Sequence, residues 1–109
     1  MFSEWTFNEK LDKEGENIIY IRMIAMHDFL SINAFAIILV SEINGKKYQI
    51  IKFDGDQNEA VNVHYYFRRP VEKKYLAKPI NWETVETCLN QIRNNWYMYL
   101  SQYKENYYI

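Results

Sequence analysis

A chain of 109 residues with one cysteine, two prolines, three glycines and two histidines is short of the residue types on which several chemistries depend. The lone Cys88 excludes an internal disulfide. With only His27 and His64 beside it, the chain lacks the several Cys and His ligands of a structural zinc site. No metal and no cofactor is therefore expected, and a reducing cytoplasm is the expected compartment. Three glycines form no glycine-rich phosphate loop, and no serine sits in a nucleophile elbow. Nucleotide hydrolysis and serine-hydrolase chemistry lack their groups. No apolar run reaches the roughly 18 residues of a membrane span. The opening MFSEWTFNEK is charged and polar where a secretory leader would be basic and then apolar. The expectation is a soluble, unexported protein with no membrane partner.

What the chain does hold is ordinary globular material. Hydrophobic residues make up 49% and charged residues 25%, which argues against disorder and for one domain spanning residues 1–109. Ten tyrosines suit a thin domain or an interaction surface, because Tyr buries its ring while keeping its hydroxyl wet. The net charge is only −1, yet Arg68, Arg69, Lys73, Lys74 and Lys78 face the single acid Glu72 between positions 68 and 78. Such a segment is either a solvated loop or a contact for an anionic partner.

Hydrophobic periodicity sets the architecture. NIIYIRMIAMHDF and SINAFAIILVSEI are rich in β-branched residues and read as strands. Asn44-Gly45 tolerates the positive φ of a type I′ turn, which predicts pairing of Glu42 with Lys47, Val40 with Gln49 and Ile38 with Ile51. A further strand is expected from Ala60 to Arg68, with Val61, Val63, Tyr65 and Phe67 facing the core and Asn62, His64, Tyr66 and Arg68 on the other face. Pro70 should end it. Asn81 has the chemistry of an N-cap, and Trp82, Val85, Leu89, Ile92, Trp96, Tyr99 or Leu100, and Tyr103 recur at helical spacing. The fold class is α+β: a meandering antiparallel sheet of about four to five strands with one long C-terminal helix on one face. Several strands are apolar on both sides, so a dimer, a partner chain or the N-terminal EWTF should cover the second face.

Chemistry concentrates in VNVHYYFRRP, residues 61–70. A neutral His64 can serve as base, Tyr66 as acid or positioner and Arg68 as an electrostatic clamp, with Asp54, Asn62, Arg69, Lys73 and Lys74 as binding groups. That set suits metal-independent RNA cleavage by internal transfer, in which the base takes the 2′-hydroxyl proton. Other candidates are weaker. DGDQN begins like a calcium loop but has Glu59 and Tyr65 where Gly and Glu belong. His27-Asp28 reads as a strand end, Cys88 as a small core residue, and the aromatic NNWYMYLSQYKENYYI as packing surface with too few cations for a base-stacking platform.

KFDGD, VHYYFRRP and QIRNNWYMY, within residues 31–103, resemble the corresponding pieces of small, mostly uncharacterised prokaryotic proteins. More distantly they are similar to the TumE family of toxin components in toxin and antitoxin pairs. Those sequences carry paired histidines where this chain has His64 alone, so only Asp54 and His64 carry over. The resemblance implies an RNA-directed toxin with an antitoxin partner. The alternative is a noncatalytic interaction module, homodimeric or bound to a partner chain.

Overall fold

In residues 17–25 and 32–43 aliphatic side chains fall at every second position, and a pleated strand sends those positions to one side. The computed structural model, which describes residues 1–109, builds a sheet from that pattern. Its strands are β1 (Ser3–Lys10), β2 (Asn17–Ala25), β3 (Ile32–Ile43), β4 (Lys46–Gly55), β5 (Asn62–Tyr65) and β6 (Glu72–Tyr75), followed by α1 (Trp82–Asn106). All six pair antiparallel in chain order. The fold is α+β as expected, with six strands where four to five were predicted.

Both additional strands sit at edges. EWTF does not cover the second face; it lies within β1 and pairs with β2, Trp5 opposite Met23 and Phe7 opposite Ile21. The alternation in SEWTFNEK explains this, because it places Trp5 and Phe7 on the side where α1 packs. Phe29 meets both rings edge-on and stacks on Trp82 at 5.8 Å. The expected basic loop is partly β6, whose exposed EKKY carries the lysines that discourage pairing with a further chain at a sheet edge.

Asn44 and Gly45 adopt φ of 52° and 78°, as a type I′ turn requires. Glu42 pairs with Lys47 and Val40 with Gln49 as expected, but beyond them the register shifts. Leu39 faces Ile51, and Ile38 faces Lys52 rather than Ile51. The cause is a bulge at Ile50: two successive isoleucines, Ile50 and Ile51, are both fully buried, which a regular one-sided pleat does not allow. The Ile50 carbonyl accepts from the Phe67 amide at 3.1 Å.

Strand β5 also ends earlier than expected, at Tyr65 instead of Arg68. Residues 66 and 67 turn, closed by the Arg68 amide donating to the Tyr65 carbonyl at 3.1 Å. Phe67 is thereby buried beside Tyr99, their rings stacked at 4.9 Å.

Helix α1 starts where the Asn81 side chain accepts from the Thr84 amide at 2.9 Å. Val85, Cys88, Leu89, Ile92, Tyr99 and Leu100 form its buried stripe, while Trp82 remains exposed apart from its stack on Phe29. Under it lie Ile19, Ile37, Leu39, Ile51, Phe53 and Val63 from four strands. Each such side chain contributes about 1.5–3 kcal/mol on burial. No helix or strand crosses the opposite face of the sheet.

Candidate functional site

Strand register determines what meets on that open face. Directly paired residues share a side, so one row runs Thr6, Arg22, Ala36, Asp54, Asn62, Tyr75 across all six strands. The next row runs Asn8, Tyr20, Ile38, Lys52, His64, Lys73. The β4–β6 end of both rows is polar, and His64 stands between two lysines.

A loop adds a third contributor. Asp56 Oδ1 accepts from the amides of Asn58 at 2.7 Å and Glu59 at 2.8 Å, an Asx turn that folds residues 56–59 back toward the sheet. The calcium-like spacing of DGDQN serves this turn. Gly55 is needed beneath it, because a Cβ there would stand 3.0 Å from Val61 Cγ2 and 3.1 Å from Val61 Cα.

Glu59 therefore meets Asp54 across Asn62. The fully buried Asn62 amide nitrogen donates to Asp54 Oδ1 at 2.7 Å, Glu59 Oε1 at 3.0 Å and the Ala60 carbonyl at 3.0 Å. Its Oδ1 has no partner. Lys52 Nζ lies 3.2 Å from Asp54 Oδ2, and Lys73 Nζ lies 2.8 Å from Glu59 Oε1. The hydrogen bond to Glu59 is the main cause that raises the Lys73 pKa above the usual lysine value, so this ammonium keeps its charge. One ligand atom from each of Asp54, Glu59 and His64 lies within 4.8 Å of the others. The Tyr66 ring stacks on the imidazole at 5.5 Å and 14°, fixing its plane. Beside the cluster is a concavity of about 390 Å³, floored by Ala34 and Ala36 and walled by Arg22, Lys52, Asp54 and Glu59.

The expected site residues are thus divided. Asp54, Asn62, His64, Tyr66 and Lys73 come together, although Asn62 is turned inward as a strut. Arg68, Arg69 and Lys74 do not join them. With β5 ending at Tyr65, the Arg68 guanidinium lies 4.0 Å over the Tyr65 ring and pairs with Glu72 at 2.8 Å. Arg69 reaches the Asn106 carbonyl at 3.4 Å, where a cation suits the helix C-terminus. Lys74 pairs with Val63 and so occupies the helix side of the sheet edge. Cys88 is buried, and desolvation pushes its thiol up to about 11, partly offset by Lys78. A thiol so protected is no nucleophile at neutral pH.

Lys52 and Glu59 escaped the sequence reading. Lys52 was within reach, since Lys52 and Asp54 alternate with buried Phe53 in IKFDG. Glu59 was not, because only the folded Asx turn directs it to the sheet.

A family model, Domain of unknown function (DUF7718), matches residues 3–108. The chain belongs to this family. No curated protein and no solved structure matches it. The DUF7718 match spans every strand and the helix, and with them the whole Asp54, Glu59 and His64 cluster. No helix of this DUF7718 chain is long and apolar enough to cross a membrane.

Proposed function

We propose that this protein acts on RNA as a small toxin-like protein of the cytoplasm, with His64 as its base. The observation that carries the reading is the placement of His64 between Lys52 and Lys73 in one cross-strand row, stacked on Tyr66 and half-buried. The imidazole would take the 2′-hydroxyl proton. The new bond from that oxygen to phosphorus would expel the 5′-oxygen, which takes up a proton from water, leaving a 2′,3′-cyclic phosphate and a 5′-hydroxyl. Lys52 and Lys73 would hold the phosphate oxygens as negative charge builds on them, taking the part first given to Arg68. Arg68, Arg69 and Lys74 stand apart from this row and are given no part in the step. The likeness of KFDGD and VHYYFRRP to TumE-type toxins supports the same choice of substrate.

A second reading, an interaction module that binds an antitoxin, another partner or a second copy, is favoured by the uncovered aliphatic half of the open face. Ile18, Ile24, Ile38 and Val40 there are only half-buried. The two readings part on one assay, incubation of the purified chain with a mixed RNA pool and no added metal, beside His64→Ala. The expected result is cleavage by the native chain and a loss of about 10²-fold or more in the variant. Intact RNA with both proteins overturns the nuclease reading and leaves the binding module, whose homodimeric form a monomer in sedimentation would in turn remove.

A further inference from the structure

We infer that Asp54, Glu59 and His64 form a binding site for one divalent first-row transition ion, of the zinc or manganese class. The inference stands whether or not RNA is the substrate. An imidazole with two carboxylates is a mixed nitrogen and oxygen donor set that suits such ions better than magnesium or calcium. Atoms ligating one ion at 2.0–2.2 Å stand about 3 to 4.4 Å apart. The three donors here already lie within 4.8 Å, so small side-chain rotations close the set.

The second observation is Asn62. Its side chain is fully buried and its amide is wedged between the two carboxylates, yet its oxygen has no partner. That nitrogen also donates to the Asp54 and Ala60 carbonyls, so the buried amide holds both carboxylates at one spot, set to take a cation between them. Entry is open, because Asp54 and Glu59 both line the neighbouring concavity.

Lys52 and Lys73 now neutralise the two carboxylates, so an ion must displace their ammonium groups. Both are long side chains, 29% and 35% exposed, that can swing into solvent. The lysines are therefore competitors, and their removal should tighten binding where removal of a ligand weakens it.

The test is calorimetric titration of chelator-treated protein with Zn²⁺. One ion per native chain is expected, about tenfold or weaker binding in each of Asp54→Asn, Glu59→Gln and His64→Ala, tighter binding in Lys73→Ala, and no change in His27→Ala. Absence of binding overturns the site, as does native-like binding in the three ligand variants or loss of binding in His27→Ala. Should a ligand variant fail to fold, carboethoxylation of the native chain reads the same contact without substitution. Zn²⁺ should protect His64 and leave His27 reactive, and equal modification of both overturns the proposal. Failure here is separate from failure of the RNA reading, since cleavage is assayed without metal. If both hold, Zn²⁺ occupies the imidazole lone pair and should inhibit cleavage.

Discussion

The two halves of the open sheet face share a backbone and differ in everything else. On β2 and β3 it carries Ile18, Ile24, Ala34, Ala36, Ile38 and Val40 around Tyr20 and Arg22; on β4 to β6 it carries Lys52, Asp54, His64 and Lys73. Beneath both halves the helix-facing side is the same closely packed layer, from Ile19 and Ile37 to Phe53 and Val63. Stability is thus supplied from below, and the upper side is free to vary. One half gathers ion-paired and hydrogen-bonded side chains, and the other leaves aliphatic side chains half-buried.

The largest effect should come from the layer the two halves share. Phe53→Ala should cost about 3–5 kcal/mol in chemical denaturation, because Phe53 is 1% exposed. Ile38→Ala, on the open side, should cost about 1 kcal/mol. A similar loss for both would mean that the open face is covered in solution, and a protein-concentration dependence of the Ile38 value would identify that cover as a second copy.

Next in size is a pH effect on the underside. Burial raises the Cys88 thiol to about 11, above its value in the unfolded chain. The folded state therefore holds the proton more tightly. The associated stability is complete below about pH 8.5 and is lost as pH climbs toward 11, by about 2–3 kcal/mol. Cys88→Ala should flatten that decline relative to the native chain in denaturant titrations at pH 8 and 10.5. An unchanged slope would place the thiol in contact with water.

An effect smaller than that of the thiol probes the polar half. Asn62→Ala removes donors from Asp54 and Glu59 but also removes a buried oxygen without a partner. The two partly cancel, and a net loss of about 1–2 kcal/mol is expected in thermal or urea melts. A gain in stability would show that the strut is strained in the native fold, sharpening the contrast with the aliphatic half.

Much of the fold was legible because its signals are local. The Asn44-Gly45 turn, the Asn81 cap and the helical stripe each follow from the conformational preferences of a few neighbouring residues. So does the alternation that buries Val61 and Val63. The site was legible only in part. His64, Tyr66 and Asp54 could be placed on one face by counting in twos, but Arg68 was lost to the turn after Tyr65, whose cause is the docking of Phe67 against Tyr99 on a distant helix.

By itself, then, the sequence determined an antiparallel meander with a capped helix, since period, turn chemistry and capping act over a few residues. The bulge at Ile50, the six-residue rows that set His64 between two lysines, and the return of Glu59 to the sheet have no such local signal. Each of these depends on register between strands or on packing between elements far apart in the chain, where the energy of many contacts overrides what any short stretch prefers.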